Sequence, residues 1–260
     1  MLRPRIIPCL LVHKGGLVKT IGFNKSRYIG DPINAVRIFN EKEVDELILL
    51  DIDATVNCSE PDYRMISNIA AECRMPLCYG GGIKTPEQAK KIISLGVEKI
   101  AISSAAIEHP DLITMISNEI GNQSVAIALD VKRKLIGNDY ELLTHNGKKK
   151  TNLNLFNFIE KNAKIGFGEI IINSIDRDGK MDGFDLFLAR KLKNTFNTPI
   201  TIIGGAGSLQ DIENLILKCG IIGASAGSLF VFKGALKAVL INYPSVSQRT
   251  EIFEKIKFNS

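Results

Sequence analysis

Short apolar runs rich in β-branched residues recur along the chain at fairly even intervals. Each run is largely continuous rather than alternating with polar residues, which is typical of parallel strands covered on both faces. The pattern predicts eight strands: Arg5–Val12, Glu46–Ile52, Pro76–Cys78, Lys99–Ser103, Ser124–Val131, Gly168–Asn173, Pro199–Ile203 and Ile221–Ala226.

The segments between these runs carry helix signals. N-cap residues, a proline at the first helical position and glycines after the last turn mark where helices begin and end. Three helices are predicted most clearly: Pro32–Phe39 with Asp31 as N-cap, Thr85–Leu95 with Pro86 at its first position and Gly96 as C-cap, and Leu209–Lys218 with Ser208 as N-cap and Gly220 after its end. Strands that alternate with helices indicate βαβ units.

Eight βα units in 260 residues predict a closed (β/α)₈ TIM barrel, whose usual length is about 250 residues. An open doubly wound sheet is the alternative. The barrel is preferred because there are eight units and no composition shift marks a second domain, so residues 1–260 are interpreted as a single TIM-barrel domain. The order Gly81-Gly82 then Ala101-Ile-Ser-Ser104 recurs as Gly204-Gly205 then Ser225-Ala-Gly-Ser228, which indicates two half-barrel repeats.

Composition narrows the class of protein. Apolar residues make up 45% of the chain and charged residues 23%, as in ordinary globular domains. The net charge of +5 suits an anionic substrate but is too small and too dispersed to indicate nucleic acid. No run reaches the roughly 18 apolar residues of a membrane span, and the amino terminus does not resemble a signal peptide. Five scattered cysteines without a Cys-x-x-Cys pair favour reduced thiols and a cytoplasmic location. We expect neither a metal nor a cofactor.

Two glycine-rich turns are candidate phosphate sites, because glycine lets backbone N–H groups approach an anion. Loops after the seventh and eighth barrel strands often bind phosphate in this fold. The alternative is that these glycines serve tight turns alone. Two copies in register favour a substrate with a phosphate at each end, bound by Gly81, Gly82, Ser103 and Ser104 in one half and by Gly204, Gly205, Gly227 and Ser228 in the other.

Carboxylates lie where the predicted strands end, and such positions face the mouth of a TIM barrel. Asp130 is the strongest candidate for a general acid or base. Asp51 and Asp178 are equally compatible with catalysis and with loop capping, whereas Asp53 and Asp176 are interpreted as loop-structuring residues.

A long glycine-bearing segment follows the first strand, from Gly15 to Gly30. We predict a loop able to close over a ligand and exclude water. Lys19 is a candidate substrate-binding residue in this segment, and Arg27 is a weaker one. The alternative is a solvated charge on a mobile loop.

The motifs together resemble a known family, the cyclase subunit of imidazole glycerol phosphate synthase, HisF. The resemblance covers essentially the whole chain in order. It rests on Arg5-Ile-Ile-Pro-Cys-Leu10, Phe23-Asn24 with Gly30-Asp31-Pro32, Asp45-Glu46-Leu47 with Leu50-Asp51-Ile52, Tyr79-Gly-Gly-Gly-Ile83, Ala128-Leu-Asp-Val131, Ser174-Ile-Asp-Arg-Asp-Gly179 and Gly204-Gly-Ala-Gly207.

The resemblance implies a two-phosphate barrel and a partner, a HisH-type glutaminase. The glutaminase releases ammonia at the amino-terminal face of the barrel, and ammonia passes through the barrel to the other face. There it attacks a bisphosphorylated ribulosyl imidazole-carboxamide nucleotide, which gives imidazole glycerol phosphate and aminoimidazole-carboxamide ribotide. Two aspartates at the ends of strands one and five act as acid and base.

The strand-five aspartate of the family matches Asp130, but the strand-one position is Leu11 here. Leucine cannot transfer a proton, and loss of one acid–base group typically costs about 10²–10⁴-fold in rate. Other departures lie at the reacting end: Ser103-Ser104 replaces Asn-Thr, Asn173-Ser174 replaces Thr-Ser, and Ile203 replaces a serine.

The family's ammonia gate, a ring of salt-bridged residues at the bottom of the barrel, matches Arg5, Glu46, Lys99 and Glu169. The alternative is a purely stabilising cluster, since that face of a barrel usually serves stability. All four gate positions are matched while the strand-one aspartate is missing, which suggests that ammonia delivery is kept and cyclisation is not.

This combination is similar to a divergent HisF-like branch of surface-polysaccharide pathways. Such proteins are thought to work with a HisH-like glutaminase and a separate sugar amidotransferase. Three alternatives stay open: an authentic cyclase in histidine biosynthesis with Asp51 or Asp53 substituting, a non-catalytic scaffold that activates the glutaminase, and an isomerase of the related HisA family, against which Leu11 also argues.

Overall fold

The computed structural model describes residues 3–134, 136–137, 139–164 and 166–257. The strands within them are β1 (Arg5–His13), β2 (Gly16–Ile21), β3 (Asn24–Gly30), β4 (Leu47–Asp51), β5 (Leu77–Gly80), β6 (Lys99–Ile102), β7 (Val125–Arg133), β8 (Tyr140–Thr144), β9 (Lys149–Asn154), β10 (Glu169–Ser174), β11 (Ile200–Ile203), β12 (Gly223–Ala226), β13 (Phe232–Lys233) and β14 (Ala238–Val239).

Helices lie between the strands of the barrel. They are α1 (Pro32–Glu41), α2 (Tyr63–Glu72), α3 (Pro86–Ser94), α4 (Ser104–Glu108), α5 (Asp111–Ile120), α6 (Leu155–Asn162), α7 (Leu186–Thr195), α8 (Leu209–Cys219), α9 (Ser228–Val231) and α10 (Val246–Lys257), with a 3₁₀ turn at Asn122–Ser124. No helix among the described residues is long and apolar enough to cross a bilayer.

Eight parallel strands close on themselves in the order β1-β4-β5-β6-β7-β10-β11-β12, with β12 paired to β1. The predicted (β/α)₈ barrel is therefore confirmed, and the open sheet is excluded. The eight barrel strands coincide with the eight predicted runs, with ends that differ by one or two residues.

The predicted helix starts are confirmed by side-chain hydrogen bonds. Asp31, Thr85 and Ser208 each accept a hydrogen bond from a backbone N–H three residues later, which satisfies a donor that the first turn leaves free. The C-cap predicted at Gly96 is off by one residue, because Leu95 is the C-cap. Gly96 follows with φ +101°, where glycine relieves strain.

The segment Gly15–Gly30 is not the predicted loop. It forms an antiparallel hairpin, β2–β3, which extends from β1. The reversal after β1 uses only Lys14 and Gly15, both with positive φ (50° and 76°), as in the two-residue turns that favour hairpins. Leu17 and Val18 of β2 are buried, so apolar contact stabilises the added strand.

Candidate functional site

A cavity of about 990 Å³ opens at the carboxyl ends of the barrel strands. It brings together all five predicted catalytic positions and the four residues of the first predicted phosphate site: Leu11, Lys19, Asp51, Asp130, Asp178, Gly81, Gly82, Ser103 and Ser104. These residues come from six different barrel strands or the loops after them, as expected for an active site in this fold.

Asp130 lies in this cavity near the end of β7. Removal from water raises the pKa of its carboxyl group to about 7. The Asn173 amide opposes this by donating to Asp130 Oδ1 at 3.1 Å, and the negative charge of Asp178 adds to the rise. A group with this pKa holds a proton about half the time at neutral pH, which suits a general acid or base.

Leu11 lines the same cavity and is buried in an interior apolar cluster with Cys9, Val18 and Ile203. Its side chain has no group that can accept or donate a proton. The carboxylates that line the cavity with Asp130 include those of Asp51 and Asp178, but none of the described residues supplies one at the end of the first strand.

Asp51 uses one carboxylate oxygen to organise the loop after β4. Its Oδ1 accepts from the N–H groups of Asp53 (2.8 Å) and Ala54 (3.1 Å). Burial raises the pKa of Asp51 above its ordinary value although these two hydrogen bonds oppose the rise. Asp51 also lines the cavity, so it combines a capping role with a titratable group in the cavity.

Asp53 and Asp176 make the contacts of loop-structuring residues. Asp53 lies 2.7 Å from His13 Nδ1 and accepts from the Lys14 N–H, also at 2.7 Å. Asp176 accepts from the Arg133 N–H at 2.8 Å. Neither aspartate is among the described residues that line the cavity.

Asp178 fastens the tip of the β2–β3 hairpin. Its Oδ2 accepts from the Thr20 hydroxyl at 2.7 Å and the Phe23 N–H at 3.1 Å, and its carbonyl accepts from the Gly22 N–H at 3.1 Å. Because one oxygen already takes two hydrogen bonds, these contacts identify Asp178 first as a positioning residue.

Lys19 lies on β2, and its side chain is buried against the barrel. A Cβ atom added at Gly227 would overlap Lys19 Nζ, so the ammonium group occupies the space beside this glycine. Among the described residues, no carboxylate lies within ion-pair distance of it. A buried cation without a partner favours an anionic ligand.

The first glycine cluster has the backbone expected of a close approach. Gly81 has φ +132° and Gly82 has φ +72°, and a Cβ on Gly81 would lie 2.5 Å from the Asp51 carbonyl oxygen. Ser103 precedes the first turn of α4 and makes no capping hydrogen bond, while Ser104 Oγ accepts from the His145 N–H at 3.2 Å.

The second glycine pair, Gly204 and Gly205, is buried and is not among the described residues that line the cavity. Gly204 and Gly205 have φ +99° and +108°, and a Cβ on Gly205 would overlap the Gly183 carbonyl oxygen. Packing against the loop after β10 thus requires glycine here. Gly227 and Ser228 lie at the start of α9, after the neighbouring strand β12, and Gly227 contacts Lys19, which lines the cavity.

The four predicted gate residues form one ion-pair cluster at the opposite end of the barrel. Arg5 contacts both Glu46 and Glu169, the latter at 2.7 Å, and Lys99 Nζ lies 2.6 Å from Glu46 and 2.5 Å from Glu169. Burial alone would raise the pKa of Glu169, but Lys99 and Arg5 lower it to about 2. The same carboxylates raise the pKa of Arg5 and of Lys99 against the effect of burial.

Thr201 is a fifth member that the sequence did not indicate. Its hydroxyl donates to Glu169 Oε1 at 2.5 Å. The space it occupies exists because position 223 is glycine, since a Cβ there would overlap Thr201 Oγ1 and lie 2.8 Å from Thr201 Cβ.

We expect Gly223→Ala to destabilise the fold by about 1–3 kcal/mol, because an added methyl group overpacks a closely packed core. Chemical denaturation checks this. In a double-mutant cycle, Thr201→Gly should remove most of the cost, because it removes both Thr201 Oγ1 and Thr201 Cβ. Equal and additive losses in both backgrounds would contradict the steric explanation.

The structure also places residues in the cavity that sequence reasoning missed. His145 and Asn146 lie in the turn between β8 and β9 with positive φ (53° and 56°), and both line the cavity. Asn146 Nδ2 donates to the Ile52 carbonyl at 2.7 Å. The Asn-Gly pair at 146–147 is a hairpin-turn signal that could have indicated this turn, although not its reach into the cavity.

Comparison with known proteins decides the family. The family model described as "Histidine biosynthesis protein" matches residues 5–237. A protein of Leptospira interrogans, provisionally named imidazole glycerol phosphate synthase subunit HisF, is 56% identical over 97% of this chain and 100% of its own length. The chain belongs to the HisF family.

More distant relatives are named as HisF subunits of imidazole glycerol phosphate synthase without a provisional label. The imidazole glycerol phosphate synthase subunit HisF of Alkaliphilus metalliredigens is 37% identical over 88% of this chain and 91% of its own. A Pseudomonas aeruginosa relative at 48% identity, over 95% of this chain and 98% of its own, is provisionally named as the numbered subunit hisF2. The predicted HisF resemblance is confirmed.

Proposed function

We propose that the chain is the HisF-type synthase subunit of a glutamine amidotransferase, diverged toward amidation of a surface-polysaccharide sugar. It receives ammonia through the barrel from a HisH-like glutaminase. The observation that carries the proposal is that Leu11 lines the same cavity as Asp130, while all four gate residues are ion-paired at the other end. The machinery for receiving ammonia is kept, and the acid–base pair expected for cyclisation is incomplete.

Lys19 supports a phosphorylated substrate. Its buried ammonium lies against Gly227, a member of the second predicted phosphate site, without a carboxylate partner among the described residues. Gly81 and Gly82 of the first predicted site line the same cavity as Lys19. An anion between them would neutralise a charge that is otherwise costly to bury. A separate sugar amidotransferase is the proposed third partner, since it would bring the acceptor.

An authentic cyclase in histidine biosynthesis is the second candidate. Two observations favour it: the relatives at 37% identity are named as synthase subunits, and Asp51 offers a carboxyl group with a raised pKa in the same cavity as Asp130. In that case Asp51 would supply the proton transfer that Leu11 cannot.

The deciding assay follows cleavage of the ribulosyl imidazole-carboxamide nucleotide with excess ammonium salt. We expect wild-type protein to be inactive and Leu11→Asp to gain at least about 100-fold in rate, because a second acid–base group enters the cavity. Leu11→Asn is the matched control, since it adds polarity of the same size without proton transfer.

Wild-type turnover of about 1–10³ s⁻¹, ordinary for enzymes, would contradict the proposed divergence and favour the cyclase. If Leu11→Asp is as inactive as wild type, the acceptor itself has changed, and assays of glutaminase activation with the sugar amidotransferase follow. Activation of the glutaminase without any Asp130-dependent amidation would leave only a scaffold.

A further inference from the structure

A short hairpin follows the last barrel strand and α9. Residues 232–239 form a short hairpin, β13–β14. Its base is joined to α9, since the Leu240 N–H donates to the Val231 carbonyl and the Asn242 N–H donates to the Phe230 carbonyl, at 3.0 and 2.9 Å. The family-wide match ends at residue 237, inside this hairpin. The hairpin and α9 therefore form one connected segment whose last part lies beyond the matched region.

This segment touches the β2–β3 hairpin at two places. At the first, Lys19 Nζ lies against Gly227, the residue that precedes α9. At the second, the Arg27 guanidinium donates to the Lys237 carbonyl at 3.1 Å and lies 5.1 Å from the centre of the Phe232 ring. Lys19 and Arg27 are direct cross-strand partners in the hairpin. The two contacts are therefore made by one rung of the ladder.

The Lys19 ammonium requires contacts that hold it in place. It is buried without a carboxylate partner among the described residues, and hydration favours movement of an unpaired buried charge toward solvent. The Asp178 carboxylate secures only the tip of the hairpin, at Thr20 and Phe23. The Arg27 contact secures the outer strand, β3, which is exposed along most of its length.

We propose that Arg27 is a positioning residue that fastens the β2–β3 hairpin to the β13–β14 hairpin and so holds the Lys19 ammonium in place to bind an anionic group of the substrate. The inference rests on the proposed function only in treating Lys19 as an anion-binding residue.

Hydrogen exchange tests the fastening without any substrate. We expect Arg27→Ala to speed amide exchange about tenfold in residues 17–30, because it removes a charged hydrogen bond and a cation–π contact. Phe232→Leu should act in the same direction while leaving every charge in place. Arg27→Lys keeps the cation and should restore part of the protection. Arg37→Ala, which removes an exposed arginine paired with Glu72 on the outer helices, is the matched control.

Titration with inorganic phosphate tests the consequence for Lys19. Arg27→Ala and Phe232→Leu should both weaken phosphate binding about tenfold relative to wild type and to Arg37→Ala. If Arg27→Ala weakens phosphate binding and Phe232→Leu does not, loss of a positive charge at long range explains the effect, and the proposal is overturned. Unchanged exchange in residues 17–30 for both variants would also overturn it. If wild-type protein binds no phosphate, the phosphate site of the proposed function is wrong, and the exchange rates still decide whether the hairpins are fastened.

Discussion

Replacing Asp130 by asparagine is expected to remove about 10²–10⁴-fold of the turnover that Leu11→Asp gains, because the cavity loses its recessed acid–base group. The carboxyl group of Asp130 has a pKa raised to about 7 by burial, with Asn173 holding it down through one hydrogen bond. Turnover that depends on ionised Asp130 should rise with pH through about 7. Asn173→Leu removes the amide that favours the ionised form, so it should move this rise to higher pH.

Stability gives a second test of Asp130 that needs no substrate. Its folded pKa of about 7 lies above the ordinary value of 3.8, so the folded state binds the proton more tightly than the unfolded state. Stability should therefore fall as pH rises from about 4 to about 7 and then level off. Asp130→Asn removes this loss and should stabilise the protein at pH 8 by at most about 4 kcal/mol, at about 1.4 kcal/mol per pKa unit.

Chemical denaturation at pH 5 and pH 8 measures this difference. Asp139→Asn is the matched control, since Asp139 is exposed and surface substitutions usually change stability by less than about 0.5 kcal/mol. If the Asp130→Asn variant is less stable than wild type at pH 8, the carboxylate is well solvated. Asp130 would then not be an acid–base group whose pKa is raised by burial.

Glu169→Gln is expected to cost about 3–5 kcal/mol of stability at pH 7, because one partner leaves a buried ion-pair cluster. Glu169 contacts Arg5, Lys99 and Thr201 together, so its removal leaves two half-buried cations sharing the buried Glu46. The exposed pair Arg37–Glu72 provides the control, since Glu72→Gln should cost no more than about 1 kcal/mol.

The pH dependence of this cluster has the opposite sign to that of Asp130. The pKa of Glu169 is lowered from 4.5 to about 2 in the folded state, so its stabilisation is fully present above about pH 5 and is lost as pH falls toward 2. Glu169→Gln should therefore show a smaller loss of stability over that range than wild type. Identical acid denaturation of the two proteins would indicate that the cluster is open to water.

Local patterns in the sequence were enough to predict the strands and helices of the barrel. The eight apolar runs follow a local periodicity, and the N-caps Asp31 and Ser208 act through hydrogen bonds within one turn, so both could be recognised without a tertiary structure. The motifs also determined the family, and with it the significance of Leu11. The gate residues Arg5, Glu46, Lys99 and Glu169 were found through that resemblance, not through any local pattern.

Tertiary structure alone decided how these parts meet. Closure of the barrel depends on the pairing of β12 with β1, two strands that are more than 200 positions apart in the chain. Local sequence patterns do not indicate such a contact. The Gly15–Gly30 segment became a hairpin because Leu17 and Val18 gain burial against β1. The raised pKa of Asp130 depends on its burial in a recess formed by distant elements, where the charge of Asp178 adds to the rise and the Asn173 amide opposes it. Thr201 reaches Glu169 only because Gly223 leaves room on the neighbouring strand. Each outcome depends on desolvation or steric fit between distant residues, and those quantities exist only once the chain is folded.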